Sequence, residues 1–594
     1  MIILAKGIPI NSGIAIGTVK IWERDDVLTS IQECKTNNIN NEINIINNAL
    51  NSLKNKINIL LRNLNIKEIA DILNAHLQIA QSIVEEAINE ITDNNDCATS
   101  AIKHVTMKYI HELQESGSEL IGMRIDDIID VSSQLISLIL NKQLLYDLYI
   151  TEDKKIILIT NYIMPSEVIL LRNVLEGLVT EHGGATSHSA ILTRSLNVPY
   201  IIVPVNTIKA IAKLITNKIL IIDGFKGLLI LPEEKDSSSL TRIINSIDTL
   251  NAQFYDERMN PAMTIDGKHV NILANVGNIE DARLVLEYGG EGIGLLRLEF
   301  MYMNRKSPPN EEELFNTLMR MSKVINGNEI IVRALDAGGD KPIPYLNITK
   351  ENNPFLGLRG IRLLLREHQE ILINEIKAVL KASAFGKFGF MIPMVSSVNE
   401  IIETKKIMRE IIEEFDRNNI KYGKILFGIM VEVPSIALII DKVVNHIDFI
   451  SLGTNDLTQY IMAADRSNEK VQYLYDELNP SVLRLIYNTV NVAKQHGVRV
   501  DVCGEIAGNE IALPILLSFN VDALSMNPVS IPKIKYIIRR LRISDIKSHI
   551  IKLLENFNDE NDIKNFLITM LIKAIPQFND LMIIYGNYEH PQQP

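Results

Sequence analysis

Residues 426–456, LFGIMVEVPSIALIIDKVVNHIDFISLGTND, hold a short apolar segment, a helical pattern and a second short apolar segment. The first segment ends at Glu432, and the second is followed by Thr454-Asn455-Asp456. Short apolar runs that alternate with helical patterns are typical of buried parallel strands joined by helices. The same unit recurs along the second half of the chain, and the fold class follows from this recurrence.

Beyond residue 260 the unit occurs eight times, as a short apolar segment followed by a helical pattern. The segments are Val270–Ala274, Glu291–Arg297, Glu329–Arg333, Gly389–Met394, Leu426–Glu432, Asp448–Leu452, Val498–Cys503 and Val521–Met526. Such a series predicts a (β/α)8 TIM barrel, whose active site lies at the carboxyl ends of the strands. The residues at those ends are Asn275, Arg297, Arg333, Met394, Glu432, Thr454-Asn455-Asp456, Cys503-Gly504-Glu505 and Ser525.

Charged residues close several of these apolar segments, which is costly unless the charges face one polar pocket. A strand that merely reaches the surface would explain one or two such charges, but not so many. Arg297 and Arg333, together with Arg359 and Arg466, predict a guanidinium cluster. Such a cluster can bind a phosphate and a carboxylate with bidentate hydrogen bonds.

The remaining polar strand ends suit a divalent cation and a proton transfer. Glu432 and Asp456 supply the hard oxygen ligands that hold Mg²⁺, or Mn²⁺, together with a substrate phosphate. Asn455 is a candidate for a further substrate contact. Cys503 can donate a proton from its strand end, and the alternative is a buried core cysteine without a chemical role.

A second chemical motif lies far upstream, at residues 183–189, GGATSHS. The two glycines form a turn that delivers His188 into the first turn of a predicted helix from Ser189 to Leu196. A helix N-terminus presents free N–H groups and a positive dipole end, which would stabilise a phosphoryl group on His188. A capping loop with a surface histidine is the alternative. His182 is a competing histidine, but it precedes the turn.

The periodicity around this motif predicts a discontinuous α/β domain of residues 1–20 and 146–230, with a helical insertion at 21–145. Its predicted strands include Lys155–Ile159, Gly177–Thr180, Tyr200–Val203 and Ile219–Ile222. Asparagine is abundant between Asn37 and Asn65, so a disordered low-complexity tract is the alternative to an asparagine-rich helical hairpin there. Residues 231–259 predict a helical linker, 260–575 the barrel and 576–594 a tail.

Composition excludes several classes of function. The net charge of −12 argues against nucleic acid as the main partner. The most apolar run is interrupted by Glu432 and Pro434, so no membrane insertion is expected. Three cysteines lie far apart in sequence without a CxxC pair, which fits a reducing cytoplasm.

These motifs together resemble enzyme I of the phosphoenolpyruvate:sugar phosphotransferase system, from Gly7 to about Arg540. Their number, order and spacing make the resemblance specific. The matching stretches are Gly183-Gly-Ala-Thr-Ser-His188, Gly294-Leu-Leu-Arg-Leu-Glu-Phe300, Arg333-Ala-Leu-Asp-Ala-Gly-Gly-Asp-Lys341, Asn353-Pro-Phe-Leu-Gly-Leu-Arg359, Ala382-Ser-Ala-Phe-Gly386, Met430-Val-Glu-Val-Pro434, Gly453-Thr-Asn-Asp-Leu-Thr-Gln-Tyr460, Asn479-Pro-Ser481 and Cys503-Gly-Glu505.

The resemblance implies a swivelling phosphohistidine domain, a helical insertion that docks the carrier protein HPr, and a barrel that binds phosphoenolpyruvate and forms a homodimer. It implies that His188 accepts the phosphoryl group and that Cys503 protonates the enolate to give pyruvate. The implied phosphoenolpyruvate ligands are Arg297, Arg333, Arg359 and Arg466, and the implied Mg²⁺ ligands are Glu432 and Asp456. The phosphohistidine domain must then swing between the barrel mouth and HPr.

Several positions depart from the family pattern. Ala185 replaces an arginine, and Asn509 replaces an aspartate. The positions where the family has threonine are Val168, Leu298, Ala334 and Val433. These losses leave a non-catalytic descendant of enzyme I as one alternative. A phosphoenolpyruvate synthase or pyruvate phosphate dikinase is another, although the part of the chain before Gly183 shows no P-loop or comparable glycine-rich nucleotide site.

Overall fold

The structure is a computed structural model, and it divides into two compact units, Met1–Asp236 and Ser237–Pro594. It describes residues 2–11, 13–22, 31–63, 67–115, 121–141, 156–183, 188–196, 198–216, 218–224, 227–232, 249–303, 305, 307–338, 343–346, 351–466, 468, 470–556 and 560–578.

The first unit contains an eight-stranded sheet with the strand order β1-β8-β7-β3-β4-β5-β6-β2. Its strands are β1 Ile2–Lys6, β2 Ile8–Asn11, β3 Ile14–Trp22, β4 Ile156–Thr160, β5 Leu175–Thr180, β6 Tyr200–Ile202, β7 Ile219–Asp223 and β8 Leu228–Leu231. Strands β3 to β6 run parallel to one another, and the remaining pairs are antiparallel. The four strands predicted between residues 155 and 222 are confirmed.

Three helices cover the two faces of this sheet, which explains why the central strand β4 is buried along its whole length. In chain order the first three helices after β4 are α5 Pro165–Leu171, α6 His188–Ser195 and α7 Thr207–Ile215. One apolar cluster includes Val168 of α5 and Ala190 of α6. A separate cluster on the sheet includes Ile208 and Ile211 of α7. The helix that begins at His188 is therefore fixed to the sheet by its apolar face.

Between β3 and β4 the chain forms a helical insertion of α1 Ile39–Asn63, α2 Lys67–Asn94, α3 Ala98–Glu115 and α4 Ile121–Ile139. In α1 the side chains of Ile46, Leu50, Leu53 and Ile57 repeat at helical spacing and are buried in one core with residues of the other three helices. The asparagine-rich segment is therefore helical, as the isoleucine and leucine periodicity predicts, because burial of this stripe outweighs the poor helix propensity of asparagine.

Cys34 and Cys97 form a disulfide, with their Cα atoms 5.6 Å apart. Three widely spaced cysteines without a CxxC pair indicated no disulfide framework, and this prediction is wrong for these two, which are 63 residues apart in sequence. Helices α1 and α2 pack against each other. The segment before α1 therefore lies beside the connection between α2 and α3. Cys503 remains a buried thiol.

The second unit is built on a closed barrel of eight parallel strands. The strands are β9 Asn271–Val276, β10 Gly292–Arg297, β11 Glu329–Arg333, β12 Phe388–Ile392, β13 Leu426–Val431, β14 Phe449–Leu452, β15 Arg499–Val502 and β16 Ala523–Met526. The pairing of β16 with β9 closes the barrel. All eight strands predicted from the apolar segments are confirmed, with ends that differ by at most two residues.

Helices surround the barrel and follow its strands. The helices are α8 at residues 249–257, α9 Ile279–Glu287, α10 Glu299–Tyr302, α11 Glu311–Val324, α12 Ile361–Arg366, α13 Gln369–Ser383, α14 Val398–Arg417, α15 Pro434–Leu438, α16 Ile440–Val443, α17 Thr454–Met462, α18 Pro480–Gln495, α19 Leu513–Ser518, α20 Ile531–Ile538, α21 Ile543–Asn556 and α22 Glu560–Ala574. Among the described helices, none is both long and apolar enough to cross a lipid bilayer.

The end of the predicted linker belongs structurally to the barrel unit. Gln253 in α8 accepts a hydrogen bond of 2.7 Å from the Tyr536 hydroxyl. Glu257 forms ion pairs with Arg539 and Arg540, the latter at 2.8 Å. These contacts attach α8 to helix α20 and its end. Residues 233–248, which make up the rest of the linker, lie outside the described residues.

Candidate active site

The carboxyl end of the barrel collects most of the strand-end side chains that the sequence singles out. Arg297 and Arg333 are the last residues of β10 and β11, which pair directly with each other. Glu432 and Cys503 immediately follow β13 and β15. Asp456 lies in the first turn of α17, just after β14. Because all eight strands are parallel, these residues surround one barrel mouth.

Arg359 is completely buried and lies at the centre of an ion-pair network. Its Nε and Nη2 atoms each donate to a carboxylate oxygen of Asp336 at 3.0 Å. Its Nη1 and Nη2 atoms donate to the two oxygens of Asp456 at 2.9 and 3.2 Å. Four of its N–H donors thus have carboxylate partners, which leaves one on Nη1 for a ligand. Arg359 therefore orients both carboxylates by bidentate pairing.

Arg333 and Arg466 are also held by carboxylates. Arg333 donates from Nη2 to Glu299, and its Nη1 lies 3.4 Å from an oxygen of Asp336. Arg466 Nη1 lies 3.6 Å from an oxygen of Asp456. The Nε atom of Arg333 is buried without a hydrogen-bond partner among the described residues. A buried N–H of this kind is unfavourable unless a ligand supplies an acceptor.

Arg297 differs from the other three arginines. It is partly exposed, and its side chain has no hydrogen bond or ion pair within the part of the chain that the structure describes. Its charge nevertheless reaches the Cys503 thiol and the Asp281 carboxylate. Arg297 is therefore the guanidinium most available to an anionic ligand at the mouth.

Glu432 and Asp456 form a coupled pair of buried carboxylates. Burial, followed by the neighbouring charges of Asp456 and Asp336, raises the pKa of Glu432 to about 7. Burial alone would raise the pKa of Asp456, but Arg359 and Arg466 hold it below its usual value. Glu432 accepts a 2.6 Å hydrogen bond from the Met394 backbone N–H. Two buried carboxylates that repel each other are a fitting donor set for a divalent cation.

Backbone geometry brings Glu432 into this position. Met394 has a positive φ of 57°, which L-residues rarely adopt, and this conformation turns its N–H towards Glu432. A Cβ on Gly453 would lie 2.9 Å from a carboxylate oxygen of Glu432, so only glycine leaves room there. The predicted strand end Met394 thus acts through its backbone.

Cys503 lies in the barrel interior, packed with Leu295, Met391, Met430 and Phe449. Burial raises the pKa of its thiol to about 11, and Glu432 contributes to the rise. The thiol is therefore protonated at neutral pH and retains a proton that it can donate. The Asn275 side chain donates to the Cys503 carbonyl at 3.0 Å, which fixes the backbone at this strand end.

Asn455 connects two of the mouth loops. Its side-chain oxygen accepts a hydrogen bond of 2.9 Å from the Glu505 backbone N–H. Its carbonyl accepts one of 3.0 Å from the Tyr475 hydroxyl. The side chain of Asn455 therefore supports the loop after Cys503, and its substrate contact stays a prediction.

Sequence reasoning assigned no role to three acidic residues that lie at or behind this mouth. Asp336 pairs with Arg359 and Arg333, and Glu299 pairs with Arg333. Both lie within the matching stretches, directly after Arg297 or Arg333, and that proximity to the arginines was the available signal. Glu375 lies on α13, away from any strand end, and no sequence pattern marks it.

Glu375 accepts hydrogen bonds from both of the segments that follow the strand-end arginines Arg297 and Arg333. It is buried, accepts a 2.7 Å hydrogen bond from the Tyr302 hydroxyl, and accepts one of 3.2 Å from the Leu335 backbone N–H. Burial raises the pKa of Glu375 to about 8, although both hydrogen bonds act to lower it. The neutral acid is therefore the form that the folded protein favours.

We expect the Glu375→Gln variant to lose less stability than the wild type as the pH rises from about 5 to about 8. The pKa of Glu375 is higher in the folded state, so its stabilising contribution is complete below about pH 4.5 and is lost as the pH rises through about 8. Between pH 5 and pH 8 the wild type should lose on the order of 3 kcal/mol more than the variant. Urea unfolding of the barrel unit at both pH values measures this difference, and parallel pH profiles would contradict it.

Only part of the histidine motif lies within the described residues. Helix α6 begins at His188, but the His188 side chain and residues 184–187 lie outside the described residues. The start of the helix is anchored, because the Ser189 hydroxyl donates to the Ile163 carbonyl at 2.7 Å. His182 is exposed and precedes the helix, as predicted. The Thr180 hydroxyl donates to the His182 carbonyl at 2.9 Å.

Most of the positions that depart from the family pattern lie within the described residues. Val168 is buried in the cluster that holds α6 on the sheet, and Leu298 and Ala334 are buried beside the two strand-end arginines. Asn509 accepts a hydrogen bond of 2.9 Å from the Ile511 backbone N–H. Val433 precedes Pro434 at the start of α15. Ala185 lies outside the described residues.

A second group of ligand-type side chains, Glu90, Asp96 and His104, lies in the helical insertion, with the ligand atoms within 4.8 Å of one another. Lys35 Nζ lies 2.6 Å from Asp96, and His104 Nδ1 lies 3.1 Å from it. Because lysine already neutralises the buried carboxylate of Asp96, we assign no cation to this group.

Comparison with known proteins identifies three family profiles along the chain. The PEP-utilising enzyme, PEP-binding domain matches residues 251–543. The PEP-utilising enzyme, mobile domain matches residues 152–227, and the PEP-utilising enzyme, N-terminal matches residues 6–124. The three matches follow the barrel, the α/β part and the segment that contains most of the helical insertion.

Curated relatives carry the name phosphoenolpyruvate-protein phosphotransferase. The relative from Priestia megaterium is 37% identical over 501 residues, 83% of this chain and 86% of its own length. The relative from Buchnera aphidicola subsp. Schizaphis graminum is 35% identical over 562 residues, 91% of this chain and 95% of its own. That from Buchnera aphidicola subsp. Acyrthosiphon pisum is 34% identical over 575 residues, 93% of this chain and 100% of its own.

Proposed function

The chain belongs to the phosphoenolpyruvate-protein phosphotransferase family, and on that premise we propose that His188 accepts the phosphoryl group and passes it to HPr. The chain is an enzyme that transfers the phosphoryl group of phosphoenolpyruvate to protein, the first step of the sugar phosphotransferase system. The observation that best supports the assignment of residues is the meeting of arginines, paired carboxylates and a protonated thiol at one barrel mouth.

Phosphoenolpyruvate carries a phosphate and a carboxylate, and arginine N–H groups at the mouth can donate hydrogen bonds to both. Arg297 has no competing partner among the described residues, and Arg333 retains a buried, unpartnered Nε–H. Arg359 retains one N–H on Nη1, and Arg466 lies beside the same Asp456. The four guanidinium groups orient the substrate and neutralise the charge that builds up on it during transfer.

PEP-utilising enzymes are generally metal-dependent. We propose that Glu432 and Asp456 hold Mg²⁺, or Mn²⁺ in its place, since they are buried carboxylates whose mutual repulsion a cation removes. A bound divalent cation neutralises phosphate oxygens and so favours departure of the enolate. The lone pairs that Asp456 does not use for Arg359 remain free for such a ligand bond.

The transfer itself needs a nucleophile and an acid. A neutral imidazole nitrogen of His188 forms the bond to phosphorus while the bond between phosphorus and the enol oxygen breaks. The enolate that remains is protonated at carbon by the Cys503 thiol, which releases pyruvate. Burial keeps this thiol protonated, so the acid is present at neutral pH. The N–H groups and dipole at the start of α6 stabilise the phosphoryl group on His188.

The loading step tests this assignment. Purified protein incubated with labelled phosphoenolpyruvate and Mg²⁺ should acquire an acid-labile, base-stable label and release pyruvate without ATP. A non-catalytic relative would acquire no label, and a synthase or dikinase would respond to ATP.

We expect Glu432→Gln to lower the labelling rate by more than about 100-fold, because an amide is a poor ligand for Mg²⁺. The amide oxygen can still accept the Met394 N–H, so the fold should persist. Rapid-quench measurement of label incorporation checks this result. Glu410→Gln, which removes an exposed carboxylate on α14, is the matched control and should change little. Labelling that survives both EDTA and Glu432→Gln would contradict the metal site.

Partner and assembly assignments rest on the family resemblance. We propose that HPr docks on the helical insertion and that the chain forms a cytoplasmic homodimer through the barrel unit. The barrel unit exposes several large apolar side chains, including Phe300, Leu356 and Tyr473.

A further inference from the structure

The Cys34–Cys97 pair joins two segments that other contacts already hold together. Cys97 donates from its backbone N–H to the Cys34 carbonyl at 3.1 Å, and Thr36 donates to the Asn95 carbonyl at 2.8 Å. Lys35 Nζ pairs with Asp96 at 2.6 Å. The backbone alignment therefore does not depend on the sulfur–sulfur bond, and two thiols at these positions would stay side by side.

Each of the two sulfurs has a neighbour that favours the thiolate: the Ser100 hydroxyl donates to the Cys34 sulfur at 3.6 Å, and Cys97 lies at a helix start. The Cys97 carbonyl accepts the Ala101 N–H at 3.0 Å, so Cys97 is the N-cap residue of α3, a helix of 18 residues. Helix N-termini favour the thiolate over the thiol. Cys97 and Cys34 are both partly exposed, whereas Cys503 is buried and keeps its proton. A small oxidant therefore meets the pair before it meets the active-site thiol.

We propose that Cys34 and Cys97 form a reversible dithiol–disulfide modification site whose closure stabilises the helical insertion. The oxidant is a small-molecule disulfide of the glutathione type. The Cys97 thiolate attacks one sulfur of this disulfide, forming a mixed disulfide and releasing one small thiol. Cys34 then attacks the Cys97 sulfur, which releases the second small thiol. Two protein thiols are oxidised, one disulfide is reduced to two thiols, and the two protons pass to the released thiols.

The position of the bond explains its effect. It closes a loop with a sequence separation of 63 residues, which contains the whole of α1 and α2. Closing a long loop restricts the unfolded chain more than the folded one, so the bond opposes the opening of these two helices. The barrel mouth lies in the other compact unit, so its chemistry does not depend on this bond. In a reducing compartment the pair is open, and oxidation closes it.

The test uses the full-length protein in a reduced sample and in one treated with oxidised glutathione, followed by alkylation and peptide mapping. The oxidised sample should contain a Cys34–Cys97 linked peptide that dithiothreitol removes, with Cys503 unmodified. Amide exchange in α1 and α2 should slow by at least about tenfold on oxidation. Exchange in the barrel strands and labelling by phosphoenolpyruvate should stay unchanged.

Serine variants isolate each sulfur. Cys34→Ser should trap Cys97 as a stable adduct with glutathione, and Cys97→Ser should trap Cys34 in the same way. Amide exchange in both variants should no longer respond to oxidation. Separate glutathione adducts on both cysteines of the wild type, or a linked peptide without slower exchange in α1 and α2, would overturn the proposal.

Discussion

Replacing His188 with alanine should abolish labelling by phosphoenolpyruvate, with a loss of at least about 10⁴-fold, because removal of a nucleophile leaves no second route for the bond to phosphorus. Helix α6 should persist, since the Ser189 hydroxyl and the buried Ala190 fix its first turn. Quantification of acid-labile label and a thermal unfolding curve test the two parts of this prediction.

His182→Ala is the matched control for that variant. His182 is exposed and precedes Gly183, and its backbone carbonyl accepts a hydrogen bond from the Thr180 hydroxyl. Alanine keeps that carbonyl, so the variant should label like the wild type. Label that persists in His188→Ala, or that disappears in His182→Ala, would refute the assignment of the nucleophile.

Secondary structure and strand ends were predictable from local patterns. Each apolar segment of the barrel is a short run typical of a buried parallel strand, and the polar residue after it marks the carboxyl end. Arg297, Arg333, Glu432 and Cys503 could be placed at one mouth for this reason. The order of the strands around the barrel was also predictable, because parallel strands joined by helices close into a barrel in chain order.

Pairings between distant side chains were not predictable in the same way. Arg359 reaches Asp336 and Asp456, which are 23 and 97 residues away, and no periodicity encodes such a contact. Sequence alone therefore placed Arg359 among the substrate ligands without showing that carboxylates already occupy most of its donors. The pairing of Cys34 with Cys97 was missed for the same physical reason, since it depends on how two helices pack.

The departures from the family pattern have a structural interpretation. Val168, Leu298 and Ala334 are buried, Val168 in an apolar cluster, and none of these three side chains can donate a hydrogen bond. A lost hydroxyl of this kind changes how firmly its neighbours are held, but it removes none of the charged groups at the mouth. We therefore expect the departures to affect the rate of transfer more than its existence.

Arg297→Ala should lower loading from phosphoenolpyruvate by at least about 100-fold, because a charge-assisted bond to the substrate is lost and its contribution grows in the transition state. The variant should fold normally, since Arg297 has no ion pair to lose among the described residues. Arg333→Ala is a weaker test, because it would remove an ion-pair partner of the buried Glu299. Arg409→Ala, an exposed arginine on α14, is the matched control.

The same variant decides whether loading and unloading use different parts of the molecule. Arg297→Ala should still accept phosphoryl groups from phospho-HPr at the wild-type rate, because His188 lies in the first compact unit and Arg297 in the second. A fragment that ends at Asp236 should also accept phosphoryl groups from phospho-HPr. The fragment excludes α8, because Glu257 in that helix forms an ion pair with Arg540 of the barrel unit. Label transfer in both directions measures this. Normal loading of Arg297→Ala, or a fragment that phospho-HPr cannot label, would refute a relay in which His188 visits a separate substrate site.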